Sequence, residues 1–150
     1  MTISTTAHLN FPGTAAAALT FYQSVFGGQI NLTTYGQLGM PKEAPDAGKV
    51  VFGRLESENG LRVMAYDVPG RAEPFGGRTT REHGLTVTDQ PFFLSVEFDS
   101  LPEASEHWGR LADGAEVVEA LAASAWSPGF GMLTDRFGVT WTFGVATEQA

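Results

Sequence analysis

ISTTAHLNFPGTAAAALTFYQSVFGG, residues 3–28, is the stretch on which the reading of the fold turns. From Ile3 to Phe11, Ile3, Ala7, Leu9 and Phe11 alternate with Ser4, Thr6, His8 and Asn10, the period of a half-buried strand. Pro12-Gly13 ends the strand. Thr14 is placed to cap a helix over Ala15 to Phe26. In that helix Ala15, Ala18, Leu19, Tyr22, Val25 and Phe26 recur at three- and four-residue spacing and form one apolar stripe. Gly27-Gly28 is the stop signal.

Beyond Gly28 a strand is expected around Ile30 to Tyr35, then a loop rich in Gly, Pro and charge from Gly36 to Lys49. Val50 to Glu56 and Leu61 to Tyr66 read as a hairpin turned by Glu58-Asn59-Gly60. Asp67 to Pro91 collects Pro69, Gly70, Pro74, Gly76, Gly77, Gly84 and Pro91, and reads as a linker or long functional loop. The order of elements then restarts. Phe92 to Phe98 is a strand, and Ser100-Leu101-Pro102-Glu103 is a capping box opening a helix striped by Ala104, Trp108 and Leu111. Gly114 ends that helix. Glu116 to Leu121, Phe130 to Thr134 and Val139 to Val145 are strands, the last two turned by Asp135-Arg136-Phe137-Gly138. At one constant offset Gly28 meets Gly114, Tyr22 meets Trp108 and Val25 meets Leu111, which signals an internal duplication. The reading is an α+β fold of two βαβββ modules in a single domain over 1–150. Module one covers about 1–67, a linker about 68–91, and module two about 92–146. Each module has one helix to cover one sheet face, so the other faces are expected to curve around a shared cavity.

Composition narrows the function. The 150 residues include 18 Gly, no Cys, and 17 acids against 9 bases, for a formal charge of −8. Glycine at that level exceeds the usual ~7% and suits a chain of many turns. With 43% hydrophobic residues, 11 Phe and 3 Trp the chain is globular rather than disordered. The acidic balance argues against a nucleic-acid partner, which needs a basic surface. The absence of Cys excludes disulfides, thiolate metal sites and cysteine nucleophiles. No stretch approaches the ~18 apolar residues of a membrane span, and the N-terminus lacks the basic and apolar regions of a signal peptide. A cytoplasmic location is the expectation. Walker, dinucleotide-glycine, Gly-x-Ser-x-Gly and His-Glu-x-x-His motifs are all absent.

Strand parity selects the residues that face away from the helices. If Leu9 and Phe11 pack on the first helix, His8 and Asn10 point to the other face. If Leu61, Val63 and Ala65 pack there, Arg62, Met64 and Tyr66 point away. By the same rule Leu94, Val96 and Phe98 leave Phe93, Ser95 and Glu97, and Val139, Trp141, Phe143 and Val145 leave Thr140 and Thr142. The set His8, Asn10, Tyr66, Ser95, Glu97 and Thr142 makes a polar floor with aromatic additions, suited to a small organic molecule. Trp126 and Phe130 are added as stacking groups. Each has a plainer reading. A strand histidine is more often a hydrogen-bonded structural residue; Tyr66 is wall rather than acid; Trp126 and Phe130 serve equally as core. Glu97 must be solvated, paired or part of a site, because burying it unpaired costs several kcal/mol. His83 and His107 and the acids Glu103, Glu106, Asp113, Glu116 and Glu119 read as solvated surface.

His8-Leu9-Asn10-Phe11-Pro12-Gly13 and Ala18-Leu19-Thr20-Phe21-Tyr22-Gln23-Ser24-Val25-Phe26-Gly27-Gly28 resemble the opening of vicinal oxygen chelate proteins. The nearest branch is the glyoxalase/bleomycin resistance one, in its demethylubiquinone methyltransferase-like subgroup. Trp126-Ser127-Pro128-Gly129-Phe130-Gly131 and Asp135-Arg136-Phe137-Gly138-Val139-Thr140-Trp141 extend the resemblance over nearly the whole chain. It implies two βαβββ modules and, in metal-dependent members, His or Glu ligands on the first and fourth strand of each module. Such an ion polarises vicinal substrate oxygens. Here those places carry His8, Met64 or Tyr66, Ser95, and Thr142, so His8 is the only matching ligand and no complete metal site is expected. No fingerprint of a methyl-donor site accompanies the resemblance.

The leading expectation is therefore a small-molecule-binding protein, with no cofactor, its ligand held in the cavity between modules. The acidic surface would tolerate a cationic ligand, and the resemblance implies a homodimer. The alternative is an enzyme of the same fold, a lyase, isomerase or dioxygenase, with His8 and Glu97 as acid and base and a divalent metal held by few protein ligands. A third reading is a purely structural, dimeric module whose cavity is filled by its own side chains.

Overall fold

The computed structural model describes residues 2–147. The chain divides into two compact units, the first ending at Phe75 and the second beginning at Gly76. Among the described residues there are two α-helices and ten strands, with a short 3₁₀ turn at Gly36–Leu38.

In the first unit β1 (Ala7–Phe11), α1 (Ala15–Phe26), β2 (Gln29–Thr34), β3 (Val50–Glu56) and β4 (Arg62–Asp67) follow in sequence. The sheet order is β1-β4-β3-β2. β1 runs parallel to β4, pairing His8 with Met64 and Asn10 with Tyr66. The other pairings are antiparallel. The strand expected from Ile3 begins only at Ala7. β4 starts at Arg62, opposite Thr6 in this register, so the residues from Ile3 to Thr5 have no part of β4 beside them, and Ile3 is exposed.

The apolar stripe of α1 is buried as its spacing predicts: Ala15, Ala18, Leu19, Tyr22, Val25 and Phe26 all lie inside. Burying each large member stabilises the unit by about 1.5–3 kcal/mol. The expected cap is different. The Thr14 side chain makes no capping hydrogen bond. Asp67, buried at the end of β4, accepts from the backbone N–H of Ala15 at 2.9 Å and of Gly13 at 3.1 Å. Its second oxygen accepts from Val50 N–H at 2.9 Å. A carboxylate at a helix N-terminus satisfies free donors and suits the helix dipole better than a hydroxyl does.

The second unit repeats the order: β7 (Leu94–Phe98), α2 (Leu101–Leu111), β8 (Glu116–Ala122), β9 (Phe130–Thr134) and β10 (Thr140–Val145), with sheet order β7-β10-β9-β8. Ser100 caps α2 by accepting from Glu103 N–H. Trp108 lays its ring edge-on against Phe143 at 5.2 Å.

Within 67–91, where a linker or loop is expected, β5 (Thr79–Glu82) and β6 (Leu85–Thr88) form an antiparallel hairpin. Its β-branched residues Thr79, Thr80, Thr86, Val87 and Thr88 favour strands. His83 and Gly84 both take positive φ, 53° and 76°, as a two-residue type I′ turn requires. The surrounding Gly and Pro hid this short signal.

Candidate functional site

Strand alternation leaves one sheet face of each unit turned away from its helix. In the first unit this face is built row by row from the pairing. One row runs Asn31, Arg54, Met64 and His8 across all four strands. A neighbouring row contains Tyr66 and Asn10, with Phe52 one step beyond the Gly53–Ala65 pair. His8, Asn10, Asn31 and Phe52 are exposed, while Arg54, Met64 and Tyr66 are half-buried. The intervening residues Leu9, Phe11, Leu55, Val63 and Ala65 are buried. The parity argument thus holds on every strand of this unit to which it applies.

Three aromatic rings cluster on that face. His8 and Tyr66 have centroids 5.9 Å apart, and Tyr66 meets Tyr35 at 6.2 Å, edge-on. Tyr35 donates its hydroxyl to the Asp67 carbonyl at 2.9 Å. Burial pushes the Tyr35 phenol well above its ordinary value. A hydrogen bond with Tyr66 and the charges of Asp67 and Asp46 push in the same direction. Tyr35 is therefore a fixed neutral wall. Nearby, Lys49 holds Asp46 in a 2.9 Å ion pair and lowers its pKa. At the far end of the sheet, Phe26, Gln29, Asn31, Glu56, Ser57 and Asn59 help line an open groove of about 800 Å³.

In the second unit the helix-averted face carries Ser95 and Glu97 on β7, Thr142 on β10 and Phe130 on β9. Thr142 donates to Ser95 Oγ at 2.8 Å. Glu97 is exposed and its pairing position is Gly144, so it is solvated rather than buried unpaired. This face is partly covered by the 76–91 segment. Gln90 accepts from the Thr140 hydroxyl at 2.7 Å. Arg81 lies over the Phe130 ring at 4.7 Å, donates to Glu119 at 3.2 Å and to Thr86 at 2.7 Å. One face of Phe130 is thus already occupied by a guanidinium. Trp126 is 94% exposed, in the loop before β9. His107 is half-buried rather than solvated, with Nδ1 2.9 Å from the Glu103 carbonyl and its ring on Phe98.

The donor chemistry of the four ligand places can be tested unit by unit. Opposite His8 stands the thioether of Met64, and the adjacent pair offers only an amide and a phenol, Asn10 and Tyr66. Ser95 and Thr142 are hydroxyls that bond each other. A divalent centre of this kind needs imidazole or carboxylate ligands, so this donor set does not fit one. Among the described residues no three His, Asp or Glu side chains are grouped to hold an ion.

Reading along the sequence drew strand residues from β1, β4, β7, β9 and β10 but passed over β3. The alternation Phe52, Gly53, Arg54, Leu55, Glu56 carries the missing signal: burial of Gly53 and Leu55 turns Phe52 and Arg54 onto the same face as His8. Tyr35 had no such signal, because it follows β2 and reaches the site only through the loop closed by Tyr35 N–H to Lys49 carbonyl.

Comparison with known proteins bears on the same architecture. The family model described as Glyoxalase/Bleomycin resistance protein/Dioxygenase superfamily matches residues 7–143. Protein YjdN of Escherichia coli (strain K12) is 24% identical, over 95% of this chain and 95% of that protein. Among solved structures, protein PA1353 from Pseudomonas aeruginosa is similar at 27% identity and a TM-score of 0.76, over 98% of this chain and 100% of that one. The PhnB protein from Bacillus cereus has the same fold at 24% identity and a TM-score of 0.69, covering 96% of this chain and 100% of its own.

Proposed function

From the chain's place in the Glyoxalase/Bleomycin resistance protein/Dioxygenase superfamily, to which it belongs, we propose that it binds a small organic molecule without a complete divalent-metal centre. The ligand lies on the helix-averted face of the first unit, against His8, Asn10 and Tyr66. One observation carries this reading: the ligand places hold Met64, and a Ser95–Thr142 pair joined by one hydroxyl hydrogen bond, where imidazole or carboxylate would be required. The exposed aromatic Phe52 beside half-buried Tyr66 supports it, since small-molecule sites combine apolar surface with a few polar groups.

The test has two arms on the purified chain. Calorimetric titration with Zn²⁺ and Mn²⁺ should show no stoichiometric binding that His8→Ala abolishes. A screen of neutral, cationic and anionic aromatic fragments, followed by amide chemical shifts, should place hits around residues 8, 10 and 66, and His8→Ala should weaken them. Stoichiometric metal binding through His8 overturns the metal-free part of the reading. Absence of any fragment on this face overturns the binding part. Turnover of a bound fragment that is lost in both His8→Ala and Glu97→Gln would replace it with the acid–base enzyme.

A further inference from the structure

Arg54 is held by one long ion pair, to Glu56, in a chain of net charge −8. Five of the seven arginines, Arg62, Arg71, Arg81, Arg110 and Arg136, donate side-chain hydrogen bonds to oxygen acceptors of the protein, while Arg54 and Arg78 do not among the described residues. Arg54 donates no hydrogen bond to any described residue, and its Nε is buried without a partner. The Glu56 carboxylate stands 3.6 Å from that nitrogen, beyond good hydrogen-bond reach, and is itself more than half exposed. A buried donor with no acceptor is uncommon in folded proteins and asks for an explanation.

The side chain as a whole is still 36% exposed, so the rest of the guanidinium is open to a ligand while Nε is not. Arg54 occupies the centre of the row Asn31, Arg54, Met64, His8 on the face that no helix covers. Asn31 on one side offers an amide donor, and His8 lies two strands away. Phe52, two residues back on the same strand, is 41% exposed. A planar guanidinium flanked by an amide donor recognises a carboxylate through two parallel hydrogen bonds. The aromatic rings beside it suit an apolar body attached to that carboxylate.

We propose that Arg54 is the anchor of a carboxylate subsite, so that the molecule held on this face is a small organic acid with an apolar body over Phe52 and Tyr66. The assignment rests on the small-molecule reading above and narrows it. It also differs from the cationic ligand that the acidic surface would tolerate. Net charge acts over the whole surface, whereas recognition is decided by the few groups in contact.

The experiment titrates benzoate, benzyl alcohol and benzylamine into the isotopically labelled chain and follows amide shifts. Benzoate should shift residues 31, 52, 54 and 66 in a saturable way. Arg54→Gln should weaken it by about tenfold or more, the loss of one charge-assisted anchor. Arg54→Lys, which keeps the charge but not the fork, should fall between. Glu56→Gln should tighten benzoate by removing a competing carboxylate. The amide spectrum of each variant reports whether it is folded. Equal benzoate affinity in folded Arg54→Gln, or no benzoate binding at this face, overturns the subsite. Binding of benzyl alcohol or benzylamine in place of benzoate overturns the subsite alone and leaves the small-molecule reading standing.

Discussion

The Asp67 carboxylate accepts from three backbone N–H groups, those of Gly13, Ala15 and Val50. It ties the start of α1 and the start of β3 to the end of β4, and its own carbonyl accepts from Tyr35. Asp67→Ala would leave three donors in a buried site with no acceptor, each worth roughly 1–3 kcal/mol. Urea unfolding should show a loss of at least about 3 kcal/mol. Asp67→Asn should lose less, because one oxygen survives while the new amide faces a donor. A loss under about 1 kcal/mol for Asp67→Ala would show that Thr14 or water can cap the helix instead. At this scale the sequence suggested the wrong residue. Capping signals are read locally, and the true cap comes from 52 positions away.

Helix-to-sheet contact is decided by single glycines on the third strand of each module. A Cβ at Gly53 would lie 2.9 Å from Leu19 on α1. At Gly131 it would lie 2.9 Å from Trp108 on α2 and equally close to the Leu121 backbone. Gly144 is on the neighbouring strand but turned away from the helix, and a Cβ there meets nothing within 4 Å. Gly131→Ala should therefore cost about 1–3 kcal/mol by overpacking. Gly144→Ala should be neutral or stabilise by up to about 1 kcal/mol through the unfolded chain. Thermal unfolding of the two variants side by side checks this. Equal losses would mean that the two faces of the second sheet are equally crowded. The β5–β6 hairpin belongs to the same scale. Its Thr-rich strands and His83-Gly84 turn were legible, but they were outweighed by the Gly and Pro around them.

For the molecule as a whole, charge and pH can be followed through two groups. Asp46 is lowered by Lys49, so its contribution is present above the ordinary carboxylate value of 3.8 and is lost as pH falls below it. Tyr35 is raised by burial. Its contribution is present below pH 10.0, the ordinary phenol value, and is lost as pH rises beyond it. Stability measured from pH 3 to 11 should form a plateau with two falling limbs. Asp46→Asn should soften the acid limb only, and Tyr35→Phe the alkaline limb only. Unchanged limbs would assign the pH response to the remaining acids and to general charge repulsion in a chain of net charge −8.

The helix Ala15–Phe26, the strands Val50–Glu56 and Phe130–Thr134, and the orientation of His8, Tyr66, Ser95 and Thr142 follow from the sequence by itself. They depend on periodicity and parity, which are properties of neighbours along the chain. The duplicated strand–helix–strand order is equally a sequence property. Tertiary structure alone decided which carboxylate caps α1, that Arg81 covers Phe130, and that the buried Arg54 Nε in the row with His8 has no hydrogen bond. Each of these depends on strand register and on side chains brought together from distant positions. The hydrophobic pattern specifies which face a residue takes, but not which partner it meets there.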